Sequence, residues 1–219
     1  MRLVIVRHGE TDWTLAGRYT GTTEVGLTAN GRAQAASLPS LLERVLHGER
    51  AVLVSSPRKR ATETAALALS SHHMTVEPLV AEYDYGDYEG LTEGDVQRLA
   101  PGWDIWRDGC PGGESTAEVG WRADTFLRAN AETGSRPVLV VTHGHFSRIL
   151  AARALGLSPD NGRLFASATG AVSLIEDRHG ERCVGLWNVD AALLTDPAGR
   201  TAHRDDPRAD PLPAGGRLP

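Results

Sequence analysis

Only two cysteines, Cys110 and Cys183, occur in 219 residues, far apart and matching no metal-ligand spacing. So few exclude a disulfide framework and leave thiols in a reducing compartment as the default. Basic residues are not in excess: 23 Lys and Arg stand against 28 Asp and Glu, a formal net charge of −5. That balance excludes the broadly basic surface of a general nucleic-acid binder, although a local basic pocket can sit in an acidic protein. No stretch approaches the roughly 18 consecutive apolar residues that span a membrane. The N-terminal run Leu3-Val4-Ile5-Val6 ends in charge at Arg7 and is too short for the core of a secretion signal. It is read as a strand, and the cytoplasm as the compartment.

What is present is ordinary for a globular protein: 41% hydrophobic and 23% charged residues. No internal repeat occurs, and no linker-like change interrupts residues 1 to about 190, so one domain is expected over 1–194. From 195 to 219 Asp, Arg, Pro and Gly dominate, which reads as a flexible tail without catalytic duty. Leu3 to Val6, Ala51 to Val54 and Val138 to Val141 are aliphatic runs without polar alternation, the pattern of strands covered on both faces. Helical patterning spans Thr28 to about Leu46, with a kink or break expected at Pro39, and Arg58 to about Ser70. Thr92 to Asp95 suggests a short helix ending near Pro101. The capping-box spacing Ser115-Thr116-Ala117-Glu118 opens one to about Ala131, and His145 to Leu155 forms another with Gly156 as its stop. Ala171 to Glu176 and Arg182 to Val189 are two late strands joined around His179-Gly180. The alternation predicts an α/β fold, a three-layer α/β/α sandwich with a mostly parallel central sheet.

Two of the aliphatic strands end alike, one in Arg7-His8-Gly9 and the other in Thr142-His143-Gly144-His145. Ligands in open α/β sheets bind at the carboxyl ends of the strands, so both histidines arrive at the expected edge. The second strand ends in Ser55-Ser56-Pro57 and continues through Arg58-Lys59-Arg60 into a helix, adding positive charge to backbone N–H groups that attract anions. Arginines and histidines together suit a phosphate dianion and repel a metal cation. Hydrolysis also needs a proton donor; the candidate is Glu82, with Asp84 and Glu89 nearby as unexcluded alternatives.

Arg7-His8-Gly9-Glu10-Thr11 resembles the signature of the histidine phosphatase (phosphoglycerate-mutase-like) superfamily. The likeness continues through Leu27-Thr28-Ala29-Asn30-Gly31, Ser56-Pro57-Arg58-Lys59-Arg60-Ala61-Thr62-Glu63-Thr64-Ala65, Glu82 with Tyr85-Gly86 and Glu89-Gly90, and Thr142-His143-Gly144. It implies a three-layer α/β fold and catalysis without metal or cofactor. His8 would be the phosphorylated nucleophile and Glu82 the proton donor, with Arg7, Arg60 and His143 holding the phosphoryl oxygens. Thr14, Thr20, Gly21, Tyr85, Gly144 and His145 are the corresponding substrate-binding candidates. The implied reaction is hydrolysis of small phosphate monoesters, such as sugar phosphates, through a phosphohistidine.

Two departures separate the chain from mutases of that superfamily. Thr14, not asparagine, follows Trp13, and the segment between Glu82 and His143 is short, which favours water as the acceptor. The Glu82-Tyr83-Asp84-Tyr85-Gly86 and His143-Gly144-His145-Phe146-Ser147-Arg148 segments are most similar to the branch of small bacterial acid phosphatases and a sugar-bisphosphate phosphatase. A mutase and a non-enzymatic phospholigand-binding protein remain the alternatives. The expected partner is a small phosphate ester, with no nucleic acid or membrane; a homodimer is compatible with a sequence that does not decide oligomeric state.

Simpler readings stand beside these. Lys59 is a solvated helix residue, and only the register of Ala61, Thr62 and Thr64 selects Arg60 over Arg58. His145 either meets substrate or merely caps its helix. His47, His72 and His73 read as surface residues. Trp103, Trp106 and Trp121 either line an entrance or pack, and Cys110-Pro111-Gly112-Gly113-Glu114 is read as a loop over the site.

Overall fold

The computed structural model describes residues 1–69, 73–131 and 136–191. The expected tail, His72 and the expected end of a helix at Ser70 lie outside them. Six strands form one sheet: β1 (Leu3–Arg7), β2 (Val52–Ser55), β3 (Met74–Val76), β4 (Val138–Thr142), β5 (Ala171–Arg178) and β6 (Glu181–Asp190), in the order β3-β2-β4-β1-β5-β6. The first four run parallel, β5 lies antiparallel to β1, and β6 antiparallel to β5. Mixed, mostly parallel pairing is thus as the sequence pattern predicts.

Among the described residues seven α-helices accompany the sheet: α1 (Asp12–Leu15), α2 (Ala29–Leu46), α3 (Lys59–Ala68), α4 (Glu93–Leu99), α5 (Ile105–Asp108), α6 (Thr116–Ala129) and α7 (Gly144–Ala154). Alternation of side chains along each strand divides the core in two. Leu3, Ile5, Val138 and Val140 join one cluster with Phe126 of α6 and Ile149 and Leu150 of α7. Val4, Val6, Leu139 and Val141 join the other with Leu38 and Leu42 of α2 and Ala61 and Ala65 of α3. The aliphatic runs lack polar positions because neither face meets water. No helix among the described residues is long and apolar enough to cross a membrane.

Both expected capping boxes form, Ser115 with Glu118 and Thr92 with Asp95. His179 and Gly180, at φ 58° and 85°, make the tight turn that joins β5 to β6. Two local expectations change. The three-residue β3 was absent from the sequence reading, being too short to show a period. Pro39 does not break α2, which runs through it. Proline removes only one N–H from an 18-residue helix whose Leu38, Leu41 and Leu42 are buried, so packing outweighs the lost bond.

The start of α2 presses on the end of β1. A Cβ on Gly31 would lie 2.1 Å from the Glu10 carbonyl oxygen, and one on Gly9 would lie 2.3 Å from the Gly31 carbonyl oxygen. Glu10 grips the helix in return, its carboxylate accepting from the Thr28 hydroxyl at 2.7 Å and the Asn30 amide at 3.0 Å. Gly31→Ala should therefore force the backbone beside His8 apart, costing about 1–3 kcal/mol in chemical denaturation. Unchanged stability in that variant would show that the two backbones need not be so close.

Candidate active site

β1 and β4 are neighbours, with Arg7 opposite Thr142, so the chain leaves both strands at one edge. The His8 N–H donates to the Thr142 carbonyl at 2.9 Å, and the rings of His8 and His143 stand 5.1 Å apart, edge to face. Their tautomers follow from their partners. His8 Nδ1 lies 2.7 Å from the Gly9 carbonyl oxygen. An oxygen that only accepts requires the proton on Nδ1, leaving the lone pair on Nε2. His143 is the reverse: Nδ1 accepts from Arg60 Nε at 3.2 Å, so Nε2 carries the proton and donates to Ser56 Oγ at 2.6 Å.

Arg60 lies in the first turn of α3 and is fully buried. Besides His143, its guanidinium donates to the carbonyls of Thr20 at 2.8 Å, Gly21 at 3.2 Å and Thr23 at 3.1 Å. Burial lowers its pKa, opposed by the charge of Glu82. The same loop is held from its N–H side by Glu89, which accepts from Gly21 and Thr23. Arg7 donates to the Ser167 carbonyl, and its guanidinium passes over Gly144, where a Cβ would come within 3.2 Å of Arg7 Cζ. The glycine after His143 thus makes room for the arginine before His8.

Burial is the main reason that both histidines have pKa values well below the ordinary 6.5, reinforced for each by Arg60 and Arg7. For His8 the bond to Gly9 opposes the shift without reversing its direction. The pocket thus pairs two neutral imidazoles with two cations.

Glu82 closes the far side. Its Oε1 accepts from the N–H groups of Tyr83 and Phe146, each at 2.9 Å, and Oε2 from His145 N–H at 3.2 Å. The carboxyl group is thereby fixed on the first turn of α7. The neighbouring acids are engaged elsewhere, Asp84 on the Gly86 N–H and Glu89 on the 21–23 loop.

The remaining candidates divide. The Tyr85 hydroxyl meets His145 Nδ1 at 2.8 Å, with Tyr85 buried and His145 half-buried. Burial lifts the Tyr85 phenol well above its ordinary range and, with Arg148 and Arg7 nearby, lowers His145. His145 also borders a cavity of about 830 Å³ lined by Tyr19, Trp103, Trp106 and Arg148 among others. Trp121, by contrast, is 64% exposed. Thr20 and Gly21 offer Arg60 their carbonyls, while the Thr20 hydroxyl donates to Arg18 O. The Thr14 hydroxyl takes the N–H of Thr11 at 2.9 Å as part of a capping box at the start of α1. The Cys110–Glu114 segment packs on the Glu82 loop, with Asp87 N–H donating to Pro111 O and Glu114 N–H to Asp84 O.

Two contacts were not singled out from sequence. Ser56 receives His143, and Thr64 receives the Gly9 N–H at 3.0 Å. A hydroxyl at the end of a buried strand was the available signal for Ser56. Among the described residues, no three His, Cys, Asp or Glu gather where they could hold a metal ion.

Fold and pocket together define an α/β protein that gathers two histidines and two arginines at the carboxyl edge of its sheet. Residues 3–190 match the histidine phosphatase superfamily (branch 1), and the chain belongs to that superfamily. It is 44% identical over 183 residues to an acid phosphatase of Mycobacterium tuberculosis, covering 83% of this chain and 89% of that one. Identity to the sedoheptulose 1,7-bisphosphatase of Saccharomyces cerevisiae is 32% over 184 residues, 71% of this chain and 68% of the relative. The solved structure of an open reading frame of M. tuberculosis matches with a TM-score of 0.82 at 41% identity, over 87% of this chain and 98% of that one. The protein is a phosphatase, a hydrolase.

The lowered pKa values of His8, His143 and His145 carry a sign for stability. Below the ordinary 6.5 the unfolded chain binds protons that the folded one refuses, so stability falls as pH drops through that value. Each histidine contributes about 1.4 kcal/mol per pH unit until its folded pKa is reached. Denaturation midpoints taken between pH 7 and 5 should decline accordingly; a flat profile would mean that the imidazoles are not held neutral.

Proposed function

We propose that the protein is a phosphomonoesterase acting on small phosphate esters, sugar phosphates or similar metabolites, through a phosphohistidine on His8. The observation that carries this reading is the His8 tautomer: Nδ1–H bound to the Gly9 carbonyl leaves Nε2 as the nucleophilic atom of an imidazole kept neutral by burial. Arg7 and Arg60 supply positive charge toward the phosphoryl oxygens as charge shifts across them, and the Nε2–H of His143 would turn to them from Ser56 Oγ.

Chemistry then proceeds in two steps. His8 Nε2 attacks phosphorus, the ester P–O bond breaks, and Glu82 gives its proton to the departing alkoxide. Water next attacks the phosphohistidine while the Glu82 carboxylate takes its proton, the P–N bond breaks, and neutral His8 and inorganic phosphate result. The leaving group would occupy the aromatic cavity beside His145, whose 830 Å³ suits a small metabolite. The activities of the relatives, acid phosphatase and sugar bisphosphatase, agree with this class. The catalytic domain is taken as residues 1–194, with 195–219 outside it.

His8→Ala should abolish both turnover and acid-labile phosphoprotein in a rapid-quench experiment with labelled substrate. Arg60→Ala should lose about 10²–10³ in kcat, as for loss of one donor to developing charge. A His8→Ala protein that still releases phosphate from an aryl phosphate would end this reading. Faster interconversion of phosphoglycerate isomers than phosphate release would replace it with a mutase.

A further inference from the structure

The segment carrying Glu82 is braced by two charged residues outside the phosphate pocket. Arg122, in α6, forms a two-pronged pair with Glu114: Nε to Oε1 at 2.7 Å and Nη2 to Oε2 at 2.8 Å. Its other N–H groups reach the backbone on either side of the acid, donating to the carbonyls of Leu79 at 2.7 Å, Ala81 at 3.1 Å and Glu82 itself at 3.3 Å. Glu114 completes the clasp from beyond, Oε2 accepting the Asp84 N–H at 2.9 Å. The pair is sheltered, with side chains 15% and 22% exposed.

Arg122 also touches the helix that holds the carboxyl group. Its Cζ lies 5.1 Å from the centre of the Phe146 ring, and the Phe146 N–H is one of the two donors to Glu82 Oε1. Residues 81–85 have no helix or strand of their own to fix them. A guanidinium is suited to this task, because its planar fork fixes several acceptors at once. Backbone and carboxyl supports of Glu82 therefore both run past one side chain.

Resting on the reading of Glu82 as the proton donor, we propose that Arg122, oriented by Glu114, is a positioning residue for proton transfer to the leaving group. It touches neither the phosphoryl group nor His8. It sets the place of the Glu82 carboxyl relative to the departing oxygen, where a displacement of about 1 Å can cost as much as 10²-fold in rate.

Leaving groups separate this role from mere support of the fold. A nitrophenolate departs without a proton, whereas an alkoxide needs one. Rates would be measured for wild type, Glu82→Gln, Arg122→Met, Arg122→Lys and Glu114→Gln on p-nitrophenyl phosphate and on an alkyl phosphate. Glu82→Gln should lose about 10²-fold or more on the alkyl ester and far less on the aryl ester. Arg122→Met should show the same asymmetry, about 10-fold or more on the alkyl ester alone, with Arg122→Lys and Glu114→Gln between it and wild type. Inhibition by inorganic phosphate should stay as in wild type, since the anion pocket is untouched. Equal losses on both esters, or weakened phosphate inhibition, would overturn the proposal while the asymmetry of Glu82→Gln stood. A Glu82→Gln protein without asymmetry would instead remove the donor role of Glu82, and this inference with it. If Arg122→Met does not fold, Arg122→Lys and Glu114→Gln carry the same comparison.

Discussion

A guanidinium shut away from water must have its charge and its donors answered by what surrounds it, and at Arg60 the answer is almost entirely neutral. Three carbonyls from the 20–23 loop and the Nδ1 lone pair of His143 receive it, and no carboxylate among the described residues forms an ion pair with it. Burial of a cation in this way is unfavourable unless hydrogen bonds satisfy it. Three features depend on this side chain. The 20–23 loop is folded back so that its carbonyls converge, with Glu89 holding its N–H groups. The His143 ring is fixed with Nε2 protonated. With Arg7 nearby as a second cation, both histidines are discouraged from charging. Hydrogen bonds answer its donors while its charge is met only at longer range, by Glu82 first, and a phosphoryl group would bring negative charge closer under the proposed function.

The sheet explains why such a cluster can be assembled from residues so distant in sequence. Parallel neighbours all release their chains at the same edge, so the ends of β1, β2 and β4 deliver His8, Ser56 and His143 to one place. Neighbouring strands lie only about 4.8 Å apart. The backbone must then turn within that spacing without a side chain in the way. Gly31 lets α2 press on Glu10, and Gly144 lets Arg7 cross the start of α7. The same turn after β4 starts α7 with its N–H groups aimed at Glu82. Fold and pocket share their contacts at this edge.

This arrangement also decides what could be read from sequence. Strands β1, β2 and β4 were legible because burial on both faces removes polar positions, and the histidines were legible because they follow those strands directly. β3 was not, since Met74–Val76 is short and Thr75 and Val76 are exposed. At Pro39 the break does not form, because a local rule was set against the burial of Leu38, Leu41 and Leu42. Thr14 was named for its hydroxyl, which the structure commits to the Thr11 backbone. Choosing Glu82 over Asp84 and Glu89 needed either a family register or the coordinates, because the difference lies in which backbone N–H groups each acid meets. Arg122 left no trace at all. Its partner Glu114 lies ahead of its own helix, and its other acceptors are carbonyls about forty residues away, which no residue pattern encodes.

Keeping His8 neutral has a consequence for the molecule as a whole. The burial that keeps its imidazole neutral in mild acid is the same burial that makes the folded state refuse protons there, so a neutral ring is held at the expense of stability in acid. A bound phosphate reverses the balance. Its negative charge beside His8 and His143 favours their protonated forms, drawing their pKa values back toward the ordinary range. It also adds negative charge beside the buried Arg60 guanidinium. Anion binding and protonation of these histidines are thereby coupled, each favouring the other. The cost of gathering these groups is electrostatic rather than steric, and negative charge is what would relieve it.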